Sequence, residues 1–476
     1  MYNYIIVGSG PTGLTLAHIL SQYGHKILIL EKEDYIGGCH GVSRSNRLFA
    51  EHGPRIYLDN YYTFKQILKD LNVSWNDIFT KYNFNMSNIG GNILQHLSLK
   101  EIFPLFISFI FLNNSYKRIT MKEFVVKHNF STKAVSYIDG LCRLTDGMSI
   151  DRYSLYQFIQ IINQNSLHTI YQPKNPNDIL LFDIWHNHLR KNVDIMLNTN
   201  VHDILYNNNK VKGLVTNKGF VKGMNFILAI PPSNILELFP IQRFAQWVDL
   251  TKYITYICVT FHWNKKINLK KVWGFKNTSW GLVFIVLSDY FENSKNKTII
   301  SAALTKDNLS NYINKTPDQC NENELVNEMF RQLNLSFQNL TPPDHYVMNQ
   351  NIYKNGKWIS KHQSFVETKY GFIPNKTGFD NLYTCGVYNG HHFYNFTSLE
   401  SAVSNAVSLS HTLEPHSKNK YKIIKFMTLR QLIILVIIVF FILGSYVKKT
   451  ETINLKILIY NNALPCQQLP GLSNIS

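Results

Sequence analysis

Within its first 31 residues the chain offers a strand, a glycine turn, a helix, a second strand and an acid, and few folds accept that order. Tyr2–Val7 is short, apolar and β-rich, and it runs straight into GSGPTG, with Gly8, Gly10 and Gly13 in G-x-G-x-x-G spacing. Gly8 permits the tight turn, Gly10 lets backbone approach a pyrophosphate, and Gly13 lets the next helix seat close to the sheet. The spacing predicts that helix from about Thr12 to Tyr23, with Leu14, Ala17 and Leu20 on one face. Its positive N-terminus, with Pro11 and Thr12 among the candidate contacts, points at the phosphates. Lys26–Leu30 is the second strand. Glu31 ends it where a carboxylate accepts the hydrogens of a ribose diol, with Lys32 beside it. A 2′-phosphate would meet a like charge there, so the pattern selects FAD or NAD over NADP.

The next residues separate those two. After Glu31 the chain reads EKEDYIGGCHG, and Phe49–Tyr57 reads FAEHGPRIY. This resembles the flavin-containing amine oxidoreductase superfamily, which includes amine and polyamine oxidases, phytoene desaturases and protoporphyrinogen oxidase. UDP-galactopyranose mutase is a weaker likeness. The resemblance implies that Gly37 and Gly38 line the pyrophosphate of FAD, and that Gly53, Pro54 and Arg55 come close to the flavin. Where the superfamily commonly has Arg after the double glycine, this chain has Cys39.

Two later stretches extend the likeness. VDIMLNTNVHDILYNNNKVKGLVTNKGFVKGMNFILAIPPSNIL, from Val193, resembles a strand whose closing Val touches the adenine, followed by a hairpin and an apolar strand closed by prolines. Val201 takes the adenine position. NLYTCGVYNGHHFYNFTSLESAVSNAV resembles the flavin-proximal C-terminal motif, with Gly386, Glu400, Ala402 and Val403 as matching cofactor residues. Val387 stands where an acid would bind the ribityl chain. The matched pieces frame Tyr2 to about Leu413. They imply an α/β fold: a Rossmann-like FAD-binding domain (1–75, 185–240, 370–415) interleaved with an α+β substrate domain (76–184, 241–369).

Formal net charge is +17. Lysines are scattered among Asn, Ile and Tyr, as an AT-rich coding sequence produces, so they read as solvated surface and no nucleic-acid partner is expected. Six cysteines are dispersed without a C-x-x-C pair, which suggests neither a disulfide framework nor a metal site. Covalent amine oxidases tether FAD through a cysteine upstream of the C-terminal motif; Tyr346–Tyr383 has none, so FAD is expected to be non-covalent. Residues 416–476 read as a basic linker (Lys418, Lys420, Lys422, Lys425), a transmembrane helix at about 429–447 and a short tail. Positive residues are denser before that helix than after it, which places the catalytic domain on the cytosolic side of a single-pass anchor. With the first strand beginning at residue 2, no signal peptide is expected.

Within the inserts, strand patterns stand at Tyr253–Trp263 and Thr298–Leu304, and helical patterning near Glu322–Leu333. Ile102–Leu112 reads IFPLFISFIFL, too short to span a bilayer. A buried helix lining an apolar tunnel is the favoured reading, and a monotopic membrane patch the other. His391, His392 and Tyr394, between Gly386 and Glu400, are the candidate catalytic groups for ring-edge contact or proton transfer. The Tyr253–Trp263 strand lacks the lysine that true amine oxidases place near flavin N5. The expected function is a membrane-anchored FAD oxidoreductase that takes hydride from a C–N or C–C bond of an apolar or amine-bearing small molecule. A non-redox flavoenzyme of the mutase type and an inactive flavoprotein scaffold are the alternatives.

Overall fold

The computed structural model describes residues 1–46, 48–83, 95–240, 242–254, 256–269, 274–275, 278–337, 340–348, 350–367, 372–390, 393–394 and 397–461. The chain divides into two compact units, Met1–Phe426 and Met427–Ser476.

A five-stranded sheet organises the first unit, in the order Leu382–Thr384, Gly223–Leu228, Tyr2–Val7, Ile27–Leu30, Val193–Met196. Every neighbouring pair is parallel. A parallel sheet is covered on both faces, which is why these strands are nearly continuous apolar runs. Alternation divides their side chains between two cores. Tyr4, Ile6, Ile27 and Ile29 meet the Pro11–Gln22 and Leu399–Leu413 helices. Ile5, Val7, Leu28 and Leu30 meet the three-stranded Val201–Asn207, Lys210–Thr216, Gly219–Val221 sheet on the other side. The first helix begins at Pro11, one residue before the sequence estimate, because proline's fixed φ suits the first helical position.

A second five-stranded sheet runs Gly274–Phe275, Val283–Val286, Thr298–Leu304, Ile257–Trp263, His345–Val347, all antiparallel. The Glu322–Phe337 helix contributes Leu325, Met329 and Leu333 to the core on this sheet. The strand anticipated over Tyr253–Trp263 is two strands. Lys252–Ile254 pairs with Phe365–Glu367, and Ile257–Trp263 pairs with Thr298–Leu304, leaving Tyr256 between them.

Two expectations need correction. The apolar segment near Ile102 forms a helix at Leu99–Ile110 that buries Phe109 but leaves most of its large side chains out: Leu99, Phe103 and Phe106, and Phe111 just past its end, are 79%, 66%, 47% and 64% exposed. The basic linker also starts later than residue 416. Ser417 and Tyr421 are buried, and the Tyr421 hydroxyl bonds Gln22 Oε1 at 2.9 Å and the Asp70 carboxylate. Phe426 still packs edge-on to His168 and Phe393.

The second unit is a helix, Leu429–Asn461. Its Leu429–Lys449 portion is long and apolar enough to cross a membrane, and none of it is buried.

Candidate active site

At the carboxyl ends of the central strands lies a cavity of about 830 Å³, near the upper end of the usual range of about 300–1,000 Å³ for ligand pockets. Its neck is made of glycine. Gly8 has φ +101°, and a Cβ there would stand 2.7 Å from the Ala229 carbonyl. Gly10 and Gly38 face each other so closely that a Cβ on Gly38 would lie 3.0 Å from Gly10 Cα. Gly10 caps the Pro11–Gln22 helix without a side chain, so the free amides of the first turn are left for an anion. Thr12 Oγ1 donates to the Ala402 carbonyl at 3.3 Å, drawing the starts of two helices together at the same neck.

On one side of the neck stand Glu31, Lys32, Thr199, Val201 and Glu237. Glu31 Oε2 accepts from the Ser9 amide at 2.8 Å and the Ser9 hydroxyl at 2.6 Å, while Oε1 accepts the Glu33 amide at 3.0 Å. The carboxylate is therefore fixed in orientation, with lone pairs left over for a ribose.

The cavity wall also holds His40, His52, Gly53, Pro54, Arg55, Tyr57, Tyr256, His362 and Gly386. His52 Nε2 donates to the His362 carbonyl at 2.5 Å, and His362 Nε2 bonds the Tyr35 hydroxyl at 2.8 Å. Burial pushes the pKa of each of these two histidines down to about 3, helped by the charge of Arg55 at His52 and of Lys32, then Arg55, at His362. Burial and Arg55 also hold His40 well below its ordinary value. All three are neutral hydrogen-bonding groups at physiological pH.

Arg55 is the cation of this wall. Its Nη2 donates to the Cys39 carbonyl, and its buried Nη1 has no hydrogen-bond partner among the described residues. Nearby Glu51 and Tyr57 favour its charge, yet burial raises the Glu51 pKa and so weakens that compensation. The guanidinium thus reaches residue 39 itself, where the superfamily's arginine commonly stands. A second buried acid lies behind the wall. Asp146 accepts from the Tyr153 hydroxyl at 2.6 Å and Gln157 Nε2 at 3.1 Å, but burial still raises its pKa to about 7. The next residue, Gly147, has φ +70°, and the Tyr256 ring fills the space its Cβ would need, 2.2 Å away.

Of the anticipated cofactor residues, Gly8, Gly10, Pro11, Thr12, Glu31, Lys32, Gly38, Gly53, Pro54, Arg55, Val201, Gly386 and Ala402 line the cavity. Gly13, Gly37, Glu400 and Val403 do not. A Cβ on Gly13 would meet the Gly8 carbonyl at 2.1 Å, so its part is seating the helix. Gly37 turns the chain at φ +113° beneath Phe182. Val403 is core. Glu400 points to another helix, accepting the Thr63 and Phe64 amides at 2.8 and 2.9 Å. Among the catalytic candidates, His391 and His392 lie outside the described residues. Tyr394 is 2% exposed, packs in the core against Tyr61 and Phe426, and donates to Asn165 Oδ1 at 2.6 Å.

Sequence reading passed over the wall histidines. His52 sits inside a motif already in view, so its position was a usable signal. His362 belongs to no motif, and only the fold brings it to the cavity.

A family model described as an NAD(P)-binding Rossmann-like domain matches residues 6–71. UDP-galactopyranose mutase of Mycoplasma genitalium is 40% identical over 65 residues, 13% of this chain and 16% of that protein, so the chain spans well under a fifth of that curated relative. Among solved structures, putrescine oxidase bound to putrescine aligns with TM-score 0.63 at 13% identity, covering 87% of this chain and 98% of that one. A fatty acid isomerase of P. acnes that produces CLA aligns with TM-score 0.58 at 12% identity, covering 87% and 99%. At such identities the likeness is one of fold.

Proposed function

For a chain with the fold of the flavin-containing amine oxidoreductase superfamily, we propose non-covalent FAD binding and membrane-anchored oxidoreductase activity on an apolar or amine-bearing small molecule. The observation that carries this reading is one cavity running from the glycine neck to a wall of neutral histidines and tyrosines. The neck fits a pyrophosphate: Gly10 and Gly38 leave only backbone there, and the helix N-terminus and Arg55 supply positive charge. Glu31 and Val201 suit the ribose and adenine. Arg55 takes over the task of the cation missing at position 39, which removes one argument for an inactive scaffold.

Bound FAD supplies hydride acceptance at N5. The protein's part is to hold, orient and exclude water. His52, kept neutral and locked to the His362 carbonyl, presents a fixed ring to the cavity. Tyr256 and Tyr57 give the substrate flat apolar walls, and the His362–Tyr35 hydrogen bond fixes the orientation of the His362 ring. Cys385 borders the cavity, but burial pushes its thiol pKa up, which disfavours the thiolate that covalent attachment requires.

The Leu429–Lys449 helix supports an anchor, and the basic residues before it support a cytosolic catalytic unit. The similarity to UDP-galactopyranose mutase keeps a non-redox flavoenzyme as the second reading. Purification in mild detergent, denaturation and anaerobic titration with a substrate panel test all of this. Yellow chromophore released into the supernatant as FAD, and bleached by a substrate with net oxidation, is the expected result. Turnover without net oxidation favours the second reading, and flavin left on the precipitated chain refutes non-covalent binding.

A further inference from the structure

We propose that the Leu99–Ile110 helix is an interfacial membrane contact, laying its apolar face into the headgroup boundary of an anionic bilayer. The inference rests on the membrane-anchor reading and adds a second point of attachment. Leu99, Phe103, Phe106 and Ile107 follow helical i, i+4, i+7, i+8 spacing, are all exposed, and so form one apolar stripe. Phe111 continues it just past the helix, and Val126 on the Met121–Lys127 helix is 67% exposed. A soluble protein seldom leaves such a patch uncovered.

The helix is firmly built. Glu101 Oε2 accepts the Ser98 amide at 2.6 Å in a capping box, and its Oε1 accepts the Ser131 amide at 2.6 Å. The exposed phenylalanines are therefore held out on a seated element.

Charge selects the occupant. From Ser98 to Val135 the chain carries Lys100, Lys117, Arg118, Lys122, Lys127 and Lys133 against Glu101 and Glu123. Both acids are spent on caps: Glu123 accepts the Thr120 amide at 2.7 Å, as Glu101 does at Ser98. Lys100, Arg118, Lys127 and Lys133 are exposed. A segment that combines exposed phenylalanines with an excess of exposed cations matches an anionic lipid surface. A second copy of the chain would set the same cations against one another across a two-fold contact.

Position agrees. The Leu99–Ile110 helix packs on the Leu155–Asn165 helix, which is about 16 Å long. Lys117 lies over the Tyr156 ring at one end of that helix. Just past the other end, His168 meets Phe426, the last residue of the first unit, with Leu167 42% exposed between. The candidate span begins at Leu429. The stripe and Phe426, the end of the first unit, thus share one supporting helix.

The experiment uses the full chain in phosphatidylcholine–phosphatidylserine vesicles, with an environment-sensitive fluorophore on Phe106→Cys. The control is Lys354→Cys on the exposed Asn351–Ser360 hairpin, and labelled wild type supplies the background. Expected is a blue-shifted emission at 106, quenched by nitroxide lipids and unchanged at 354, with quenching reduced when phosphatidylserine is replaced by phosphatidylcholine. Amide exchange over 102–111 in the unmodified chain should slow in vesicles relative to detergent. A chain that floats with vesicles but shows water-like emission at 106 overturns this inference and leaves the anchor intact. Failure to float overturns the anchor itself. Protection at 106 that follows protein density instead of lipid also overturns the inference, in favour of a second copy.

Discussion

Gly10 and Gly13 stand three residues apart, yet space around them differs. Gly10 has φ −67°, open to any residue, and the nearest atom to a Cβ there is Gly38 Cα at 3.9 Å. Gly10→Val is expected to fold with a near-normal melting temperature and emerge without flavin, because the side chain fills the phosphate space. Gly13→Ala drives a methyl group into the Gly8 carbonyl and should cost about 1–3 kcal/mol of stability. Chemical denaturation and the flavin spectrum separate the two losses. Asp146 makes a pH prediction. Its folded pKa of about 7 lies above the unfolded value near 3.8, so the folded state holds a proton that the unfolded state releases. Its contribution to stability is complete below about pH 4 and declines as pH rises through 7. Asp146→Asn should therefore match wild type near pH 4 and exceed it by about 2–4 kcal/mol at pH 8. An unchanged gap in melting temperature across that range would contradict the assignment.

At the scale of elements, Glu400 shows what one carboxylate does for two helices. From the first turn of Leu399–Leu413 it accepts the first amides of Tyr62–Asp70, and Ser404 Oγ donates to Thr63 Oγ1 at 3.0 Å beside it. Glu400→Ala leaves two buried amides without acceptors and should cost about 2–4 kcal/mol by denaturant titration. Flavin affinity in the folded fraction should be unchanged, since Glu400 does not border the cavity. Sequence reading assigned the glutamate to the cofactor, but it does not line the cavity. Its target was not legible, because the partner amides lie more than three hundred residues away.

The whole molecule is cut more sharply than its composition suggests. A chain ending after Phe426 keeps every buried side chain of the first unit and should retain flavin, with only the Leu99–Ile110 stripe left to hold it to anionic membranes, from which high salt should release it. A chain ending after Ser417 loses Tyr421, which is 1% exposed and bonded to Gln22 and Asp70, and should lose about 3–5 kcal/mol and aggregate. Fractionation of the two truncations decides whether residues 418–426 are linker or core.

The glycine neck of the cavity and the Glu31 carboxylate beside it were legible in the sequence, because they are local. Turn, helix start and ribose acid follow one another within 31 residues, and short-range backbone geometry fixes their relation. The apolar character of Ile102–Leu112 was equally plain, but whether it faced core or solvent was not, since burial depends on what the rest of the chain brings to that surface. The same holds for the wall of histidines and Arg55. The Arg55 guanidinium on the Cys39 carbonyl, and His52 bonded to the His362 carbonyl across 310 positions, exist only once separate segments meet. Their shifted protonation follows from the water those segments exclude, and no pattern along the chain records exclusion of water.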